Sequence, residues 1–139
     1  MKVYLANALG FYPLLRPALD NIVQELTAHG VAVIEPFAHC AVACDFSKPL
    51  EPQVAPINMA SIRDCAVLVA VIDGSGPQVD DGIAWEMGYA TGLGKRVIVF
   101  RTRDIEATPL NLQLHGDGID IVNSIGALLA ALDSIGGVR

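Results

Sequence analysis

A chain of 139 residues can bury a hydrophobic core without disulfides or a structural metal, so a single domain spanning residues 1–139 is expected. Its net charge of −6 offers no basic field to attract a polyanion, which argues against a nucleic-acid polymer as partner. Hydrophobic residues reach 53% and charged residues only 17%, a surplus of apolar groups that suits subunit interfaces; even so, no apolar run attains the roughly 18–20 residues of a membrane helix.

The N-terminus enters a strand-like pattern at once, without the layout of a signal peptide, and Cys40, Cys44 and Cys65 form an odd set. Free thiols and a cytoplasmic location are the corresponding expectations. Lys2 to Ala6 reads as the first strand, ending at a turn-permissive Asn7-Ala8-Leu9-Gly10. From Pro13 to His29, Leu15, Leu19, Ile22, Val23 and Leu26 recur at helical spacing, with Gly30 as the stop. Strand two follows at Val31 to Pro36. Residues 37–53 lack a clear period and carry Pro49 and Pro52, so they read as a long loop.

A second helix is expected from about Val54 or Pro56 to Asp64, and Val67 to Ile72 is a continuous apolar run suited to a central parallel strand. The loop Asp73 to Asp80 feeds a helix from Gly82 to about Leu93, which Gly94-Lys95 ends. Strand four is Arg96 to Phe100. A polar connection from Arg101 to Pro109 and a short segment at Leu110 to Leu114 lead to strand five at Ile119 to Val122, and a last helix capped by Ser124 runs to about Ile135. This alternation implies an α/β fold: a single doubly wound five-stranded parallel sheet, flavodoxin-like, in the order 2-1-3-4-5.

Ligands of such sheets bind beyond the carboxyl ends of the strands, where the strand order reverses. The loops after strands one, three and four meet there, and the third delivers Asp80 and, six residues on, Glu86. Glu86 stands among Ile83, Ala84, Trp85, Met87 and Ala90. Two readings stay open: a carboxylate solvated near a helix N-terminus, or an acid held in a partly desolvated place. In the second, an anion beside an anomeric carbon would stabilise an oxocarbenium-like state and trap it, while a second acid served the leaving group. Tyr4 is equally a core tyrosine or a hydrogen-bond partner of that carboxylate.

These residues resemble the nucleoside 2-deoxyribosyltransferase family over most of the chain. The likeness rests on Val3-Tyr4-Leu5-Ala6 followed by Phe11, the segment from Ile57-Asn58 to Ala70, the run Asp80-x-Gly82-x-Ala84-x-Glu86-x-Gly88, Gly94-Lys95, and Pro109-Leu110-Asn111-Leu112. It implies transfer of a 2-deoxyribosyl group between nucleobases, with no cofactor and no metal; the partners would be 2'-deoxynucleosides and free bases. Glu86 matches the family's nucleophile, which attacks C1' and holds a covalent glycosyl-enzyme. Asp80 matches the aspartate that bonds the base and helps to protonate it. Tyr4 matches the tyrosine that orients the glutamate, and Phe11 the aromatic that packs on the base.

Asn111 matches an asparagine that reaches the sugar from a neighbouring subunit, which implies a homo-oligomer with a shared active site. Gly82 and Asn58 complete the implied substrate-binding set. Asn58 stands where family members commonly carry aspartate, so it can hydrogen-bond but cannot carry a proton. Residues 37–53 align poorly with the family, and no counterpart is found for the glutamine that often reads the base; His39 and Gln53 are the candidates.

His39, Cys40, Cys44 and Asp45 cluster as zinc ligands could, but without a second ligand pair elsewhere. Asp73-Gly74-Ser75-Gly76 is neither a Walker loop nor a dinucleotide fingerprint. A 2'-deoxynucleoside 5'-monophosphate N-hydrolase is the near alternative. It calls for a phosphate site near the first loop, where this chain has only Arg16. A non-catalytic nucleotide-sensing module is the alternative from another class. A phospho-receiver is disfavoured by Asn7-Ala8 and Asn123 at positions that should hold an acidic pair and a lysine.

Overall fold

Successive residues of a strand point to opposite faces, so a strand covered on both sides is apolar throughout and feeds two separate cores. The computed structural model describes residues 1–73, 79–101, 111–116 and 118–136. Within them run strands β1 (Lys2–Asn7), β2 (Ala32–Ile34), β3 (Val67–Val71), β4 (Arg96–Phe100) and β5 (Ile119–Val122). The helices are α1 (Arg16–Ala28), α2 (Pro36–Ala43), α3 (Glu51–Asp64), α4 (Asp81–Gly92) and α5 (Ile125–Gly136). The strands form one sheet in the order β2-β1-β3-β4-β5, every pair parallel. The flavodoxin-like order expected from the alternation of elements is therefore the one found.

On one face, Val3, Leu5, Val67, Val69, Ile98 and Phe100 pack with Leu19, Ile22 and Leu26 of α1 and Leu128 and Leu132 of α5. On the other, Tyr4, Ala6, Leu68, Ala70, Val97 and Val99 pack with Ile62 of α3 and Ile83, Met87 and Ala90 of α4. The second face is the one that builds the site. Gly94, at φ +70°, turns the chain out of α4, where a residue with a Cβ would be strained. Lys95 then donates from Nζ to the carbonyls of Arg63 (2.9 Å) and Cys65 (2.5 Å), binding the start of β4 to the end of α3. That gives the Gly94-Lys95 pair a structural purpose.

Three local expectations change. The first loop folds into two 3-10 turns, Leu9–Phe11 and Pro13–Leu15, so α1 starts at Arg16. Residues 37–53 are not one long loop: α2 occupies their first part and α3 begins at Glu51. α2 buries no residue fully, so its side chains carry no hydrophobic period to read. Pro52 lies in the first turn of α3, where its missing N–H is not needed. Thirdly, Cys40 and Cys44 are joined in a disulfide, their Cα atoms 5.2 Å apart across one helical turn. The expectation of three free thiols is thus corrected, and with it the argument from cysteines to a reducing compartment. Cys65 remains a buried thiol, pushed up to about 11 chiefly by that burial.

Ser124 accepts from the N–H of Ala127 at 3.2 Å, the cap expected for α5. No helix among the described residues is long and apolar enough to cross a membrane. Ile98, wholly buried in the middle of β4, should be a strong point of the fold. Ile98→Ala is expected to lower unfolding free energy by about 2–5 kcal/mol. Leu14→Ala, at a side chain 94% exposed, should change it by no more than about 0.5 kcal/mol in the same denaturant titration.

Candidate active site

The helix that carries Glu86 owes its start to Asp80. The Asp80 carboxylate accepts from the N–H groups of Gly82 (3.0 Å) and Ile83 (3.2 Å), capping the first turn of α4. Gly82 permits this approach, because a Cβ there would lie 3.0 Å from Asp80 Oδ1. From this start the buried positions of α4 are Ile83, Glu86, Met87 and Ala90. Their spacing is that of one helical face, so the acid occupies a position that core packing would fill with an apolar side chain. The solvated reading of Glu86 is thereby excluded: it is only 9% exposed.

Tyr4 sits opposite, in the middle of β1, and is completely buried. Its hydroxyl donates to Glu86 Oε1 at 2.6 Å. Asn58, projecting from α3, donates from Nδ2 to the same oxygen at 3.2 Å. A strand and two helices thus converge on one carboxylate. Burial raises the pKa of Glu86 above its ordinary value; the bonds from Tyr4 and Asn58 pull it back, and the Asp80 charge adds a smaller push upward. Burial, followed by the nearby Glu86 charge, holds the Tyr4 hydroxyl far above its usual range, so it remains a donor.

The other expected residues stand around this centre. Phe11, in the first loop, is 68% exposed and meets Phe37 edge to face, with ring centroids 4.6 Å apart. Asp80 is exposed at the rim. Asn111, also exposed, accepts from the N–H of Gln113 at 3.0 Å and so caps a 3-10 turn at Leu112–His115. Gly74-Ser75-Gly76 and Pro109-Leu110 lie outside the described residues.

Gln53, one of the two candidates considered for reading the base, bonds within its own segment. Its side chain accepts from Asp45 N–H (2.8 Å) and donates to the carbonyls of Asp45 (3.0 Å) and Pro49 (2.8 Å), closing the turn before α3. His39 is exposed on α2. The Cys40–Cys44 bond occupies two of the four groups weighed as zinc ligands. Neither Glu35 nor Phe37 is singled out by the sequence: Glu35 follows β2 as the N-cap of α2, and Phe37 lies in the first turn of that helix. Arg101, 3% exposed at the carboxyl end of β4, is a further unanticipated buried charge.

A five-stranded parallel sheet in this order, with a buried glutamate of α4 bonded to a tyrosine of β1, places the protein among the doubly wound, flavodoxin-like α/β folds. Sequence places the chain within one family of them: residues 3–122 match the model of the nucleoside 2-deoxyribosyltransferase family, and the protein belongs to that family. A search of curated proteins finds no match. Among solved structures, it is similar to a 2-deoxyribosyltransferase of Leishmania mexicana, with 25% identity, 97% of this chain and 98% of that one covered, and a TM-score of 0.75. A 2-deoxyribosyltransferase of Bacillus psychrosaccharolyticus shares 22% identity over 93% and 90% of the two chains, TM-score 0.77. A CMP N-glycosidase of Clostridium botulinum shares 18% over 96% and 99%, TM-score 0.57. At these last two identities the likeness is one of fold.

The raised pKa of Glu86 has a consequence for stability. Between the unfolded carboxyl value and the higher folded one, the folded chain binds more protons, so stability falls as pH rises through that window. Glu86→Gln retains an oxygen to accept from Tyr4 and Asn58 but carries no charge. It is expected to raise Tm at pH 7 by roughly 2–5 °C, and the gain should disappear at a pH below the unfolded carboxyl value. Calorimetry at the two pH values checks the sign.

Proposed function

We propose that the protein transfers the 2-deoxyribosyl group of a 2'-deoxynucleoside to a free nucleobase through a covalent intermediate on Glu86. The observation that carries this reading is the buried Glu86 carboxylate held by the Tyr4 hydroxyl at 2.6 Å in a chain of this family. Tyr4 and Asn58 both bond Oε1, and in this scheme Oε2 is the oxygen that attacks. Oε2 bonds to C1' as the C1'–N bond breaks, and that electron pair leaves with the base. Asp80, at the rim and exposed, bonds the base and helps to protonate it as it leaves, passing on a proton from solvent. A second base then attacks C1' on the opposite face and gives up its N–H proton to solvent by way of Asp80, Glu86 leaves as carboxylate, and configuration at C1' is retained overall.

Phe11 packs against the base in this scheme, and Gly82, whose N–H bonds Asp80 Oδ1, holds the Asp80 carboxylate over the first turn of α4. Asn58 acts as a neutral donor. In place of the aspartate common in the family, it adds no second negative charge beside Glu86. Asn111 serves the sugar hydroxyls of a neighbouring subunit's site, in a homo-oligomer whose protomers each act as one domain. Trp85 is half exposed on α4, one residue from Glu86 and flanked by exposed Ala84 and Gly88; this small-residue surface suits a close subunit contact.

The nucleotide hydrolase is the competing reading, and one observation weighs against it. Arg16, the cation beside the first loop, faces Asp20 (3.5 Å) and Glu35 (4.0 Å), so its charge is already engaged by carboxylates rather than set for a 5'-phosphate. A deoxynucleoside is therefore expected to exceed its own 5'-monophosphate in kcat/KM by about tenfold or more. Preference for the monophosphate, with release of deoxyribose 5-phosphate, would instead support the hydrolase.

Incubation with deoxyinosine and adenine should yield deoxyadenosine and hypoxanthine, and Glu86→Ala should lower the rate by about a thousandfold or more. No exchange by the wild type would overturn the transferase reading. Tyr4→Phe removes a bond that lowers the Glu86 pKa, so the acid limb of the pH–rate profile should move to higher pH.

A further inference from the structure

A second buried carboxylate, Glu35, takes no part in the chemistry proposed above. It lies at the carboxyl end of β2 and is 6% exposed. Oε1 accepts from Asn7 Nδ2 (3.0 Å) and Phe37 N–H (3.1 Å), and Oε2 accepts from Ala38 N–H (2.8 Å), with Arg16 Nη2 at 4.0 Å. Asn7, itself 6% exposed, passes the connection onward: its Oδ1 accepts from Gly10 N–H at 3.2 Å, and its Nδ2 also donates to Leu5 C=O at 3.0 Å. The same carboxylate therefore ties down the first turn of α2 and, through Asn7, the loop after β1.

Those two segments carry the aromatic pair. Phe37 lies two residues beyond Glu35, and Phe11 one residue beyond Gly10. Their rings meet edge to face, and the Phe37 ring lies so close to Gly10 that a Cβ there would fall 2.3 Å from Phe37 Cδ2. The backbone of one loop is in contact with the ring of the other, and Glu35 holds the two loops in register. Each segment has only a short helix or turn of its own to fix it, namely the two-turn α2 and the Leu9–Phe11 turn.

We infer that Glu35 is a positioning residue for the nucleobase side of the site: by bonding Asn7, Phe37 and Ala38 together it sets the Phe11–Phe37 pair, and so determines which base fits. The inference rests on the deoxyribosyl-transfer reading for its substrate, and on Phe11 as the aromatic that meets the base. Donors face both oxygens of Glu35, so the acceptor capacity of a carboxylate is needed. A glutamine has one acceptor oxygen, and either orientation of its amide turns an NH2 group towards an N–H donor. Glu35→Gln should therefore loosen the pair without altering the size of the side chain.

The test measures acceptor-base kinetics with adenine and with cytosine at a fixed deoxyinosine concentration, together with Tm. For Glu35→Gln, KM for the acceptor base should rise about tenfold, kcat should fall by less than KM rises, and the ratio of adenine to cytosine use should change. Asn7→Ala, which leaves Glu35 and the α2 cap intact, should shift KM and the base ratio in the same direction; it carries the test if Glu35→Gln does not fold. NMR contacts between the Phe11 and Phe37 rings, strong in the wild type, should weaken in both variants. A folded Glu35→Gln with wild-type ring contacts, acceptor KM and base ratio would overturn the proposal, as would a lowered Tm unaccompanied by a change in that ratio. Should the wild type exchange no bases, the transferase reading fails by itself, and the ring contacts still decide whether Glu35 positions the pair.

Discussion

The site depends on one ionisable group occupying a position that packing would reserve for an apolar side chain. Ile83, Glu86, Met87 and Ala90 form the buried face of α4, and this face presses onto the sheet beside Tyr4. A carboxyl placed there loses hydration and becomes harder to ionise. Withdrawing a polar group from water is unfavourable unless partners replace the lost hydrogen bonds. Tyr4 and Asn58 supply such partners, but the balance still favours the neutral form more than water would. The molecule accepts a less stable core and keeps a poorly solvated, precisely oriented oxygen acid. That is the trade between stability and activity expected of a reactive group.

Everything that fixes this arrangement comes from regular structure. β1 holds Tyr4 between β2 and β3, α3 brings Asn58, and the Asp80 cap sets the register of α4. Lys95 fastens the end of α3 to the beginning of β4, so the helices that bear Asn58 and Glu86 are held against the same sheet. Side chains anchored on strands and helices can be oriented more tightly than side chains on loops. The nucleobase side differs, because Phe11 and Phe37 stand on short connecting segments. There a second buried carboxylate, Glu35, joins backbone to side chain across the two loops.

Much of this could be read from the residues alone. The run Val67 to Ile72 announces a strand covered on both faces, and the alternation of strands with ten- to fifteen-residue helices leads to the parallel sheet in its observed order. The burial of Glu86 was also open to inspection: Ile83, Met87 and Ala90 share its helical face. That signal remained ambiguous because the exposed positions of α4 include Ala84, Trp85 and Gly88, which blur the contrast between faces. α2 was illegible for a related reason, since Pro36 to Ala43 is nearly all apolar yet mostly exposed, leaving no period. Glu35 could not be found locally, because the partner that reveals its purpose, Asn7, is 28 residues away in the chain. The spacing of Cys40 and Cys44 fits a free pair, a metal pair or a bond equally well until the helix between them is known.

The account turns on Glu86 forming a bond to carbon. The direct measurement is intact-mass spectrometry of the protein after brief exposure to deoxyinosine without an acceptor base, followed by peptide mapping. The account predicts a deoxyribosyl adduct confined to the peptide that contains Glu86, discharged by adding adenine and absent from Glu86→Ala. Turnover in the wild type with no adduct at any quench time, or an adduct that persists in Glu86→Ala, would contradict it.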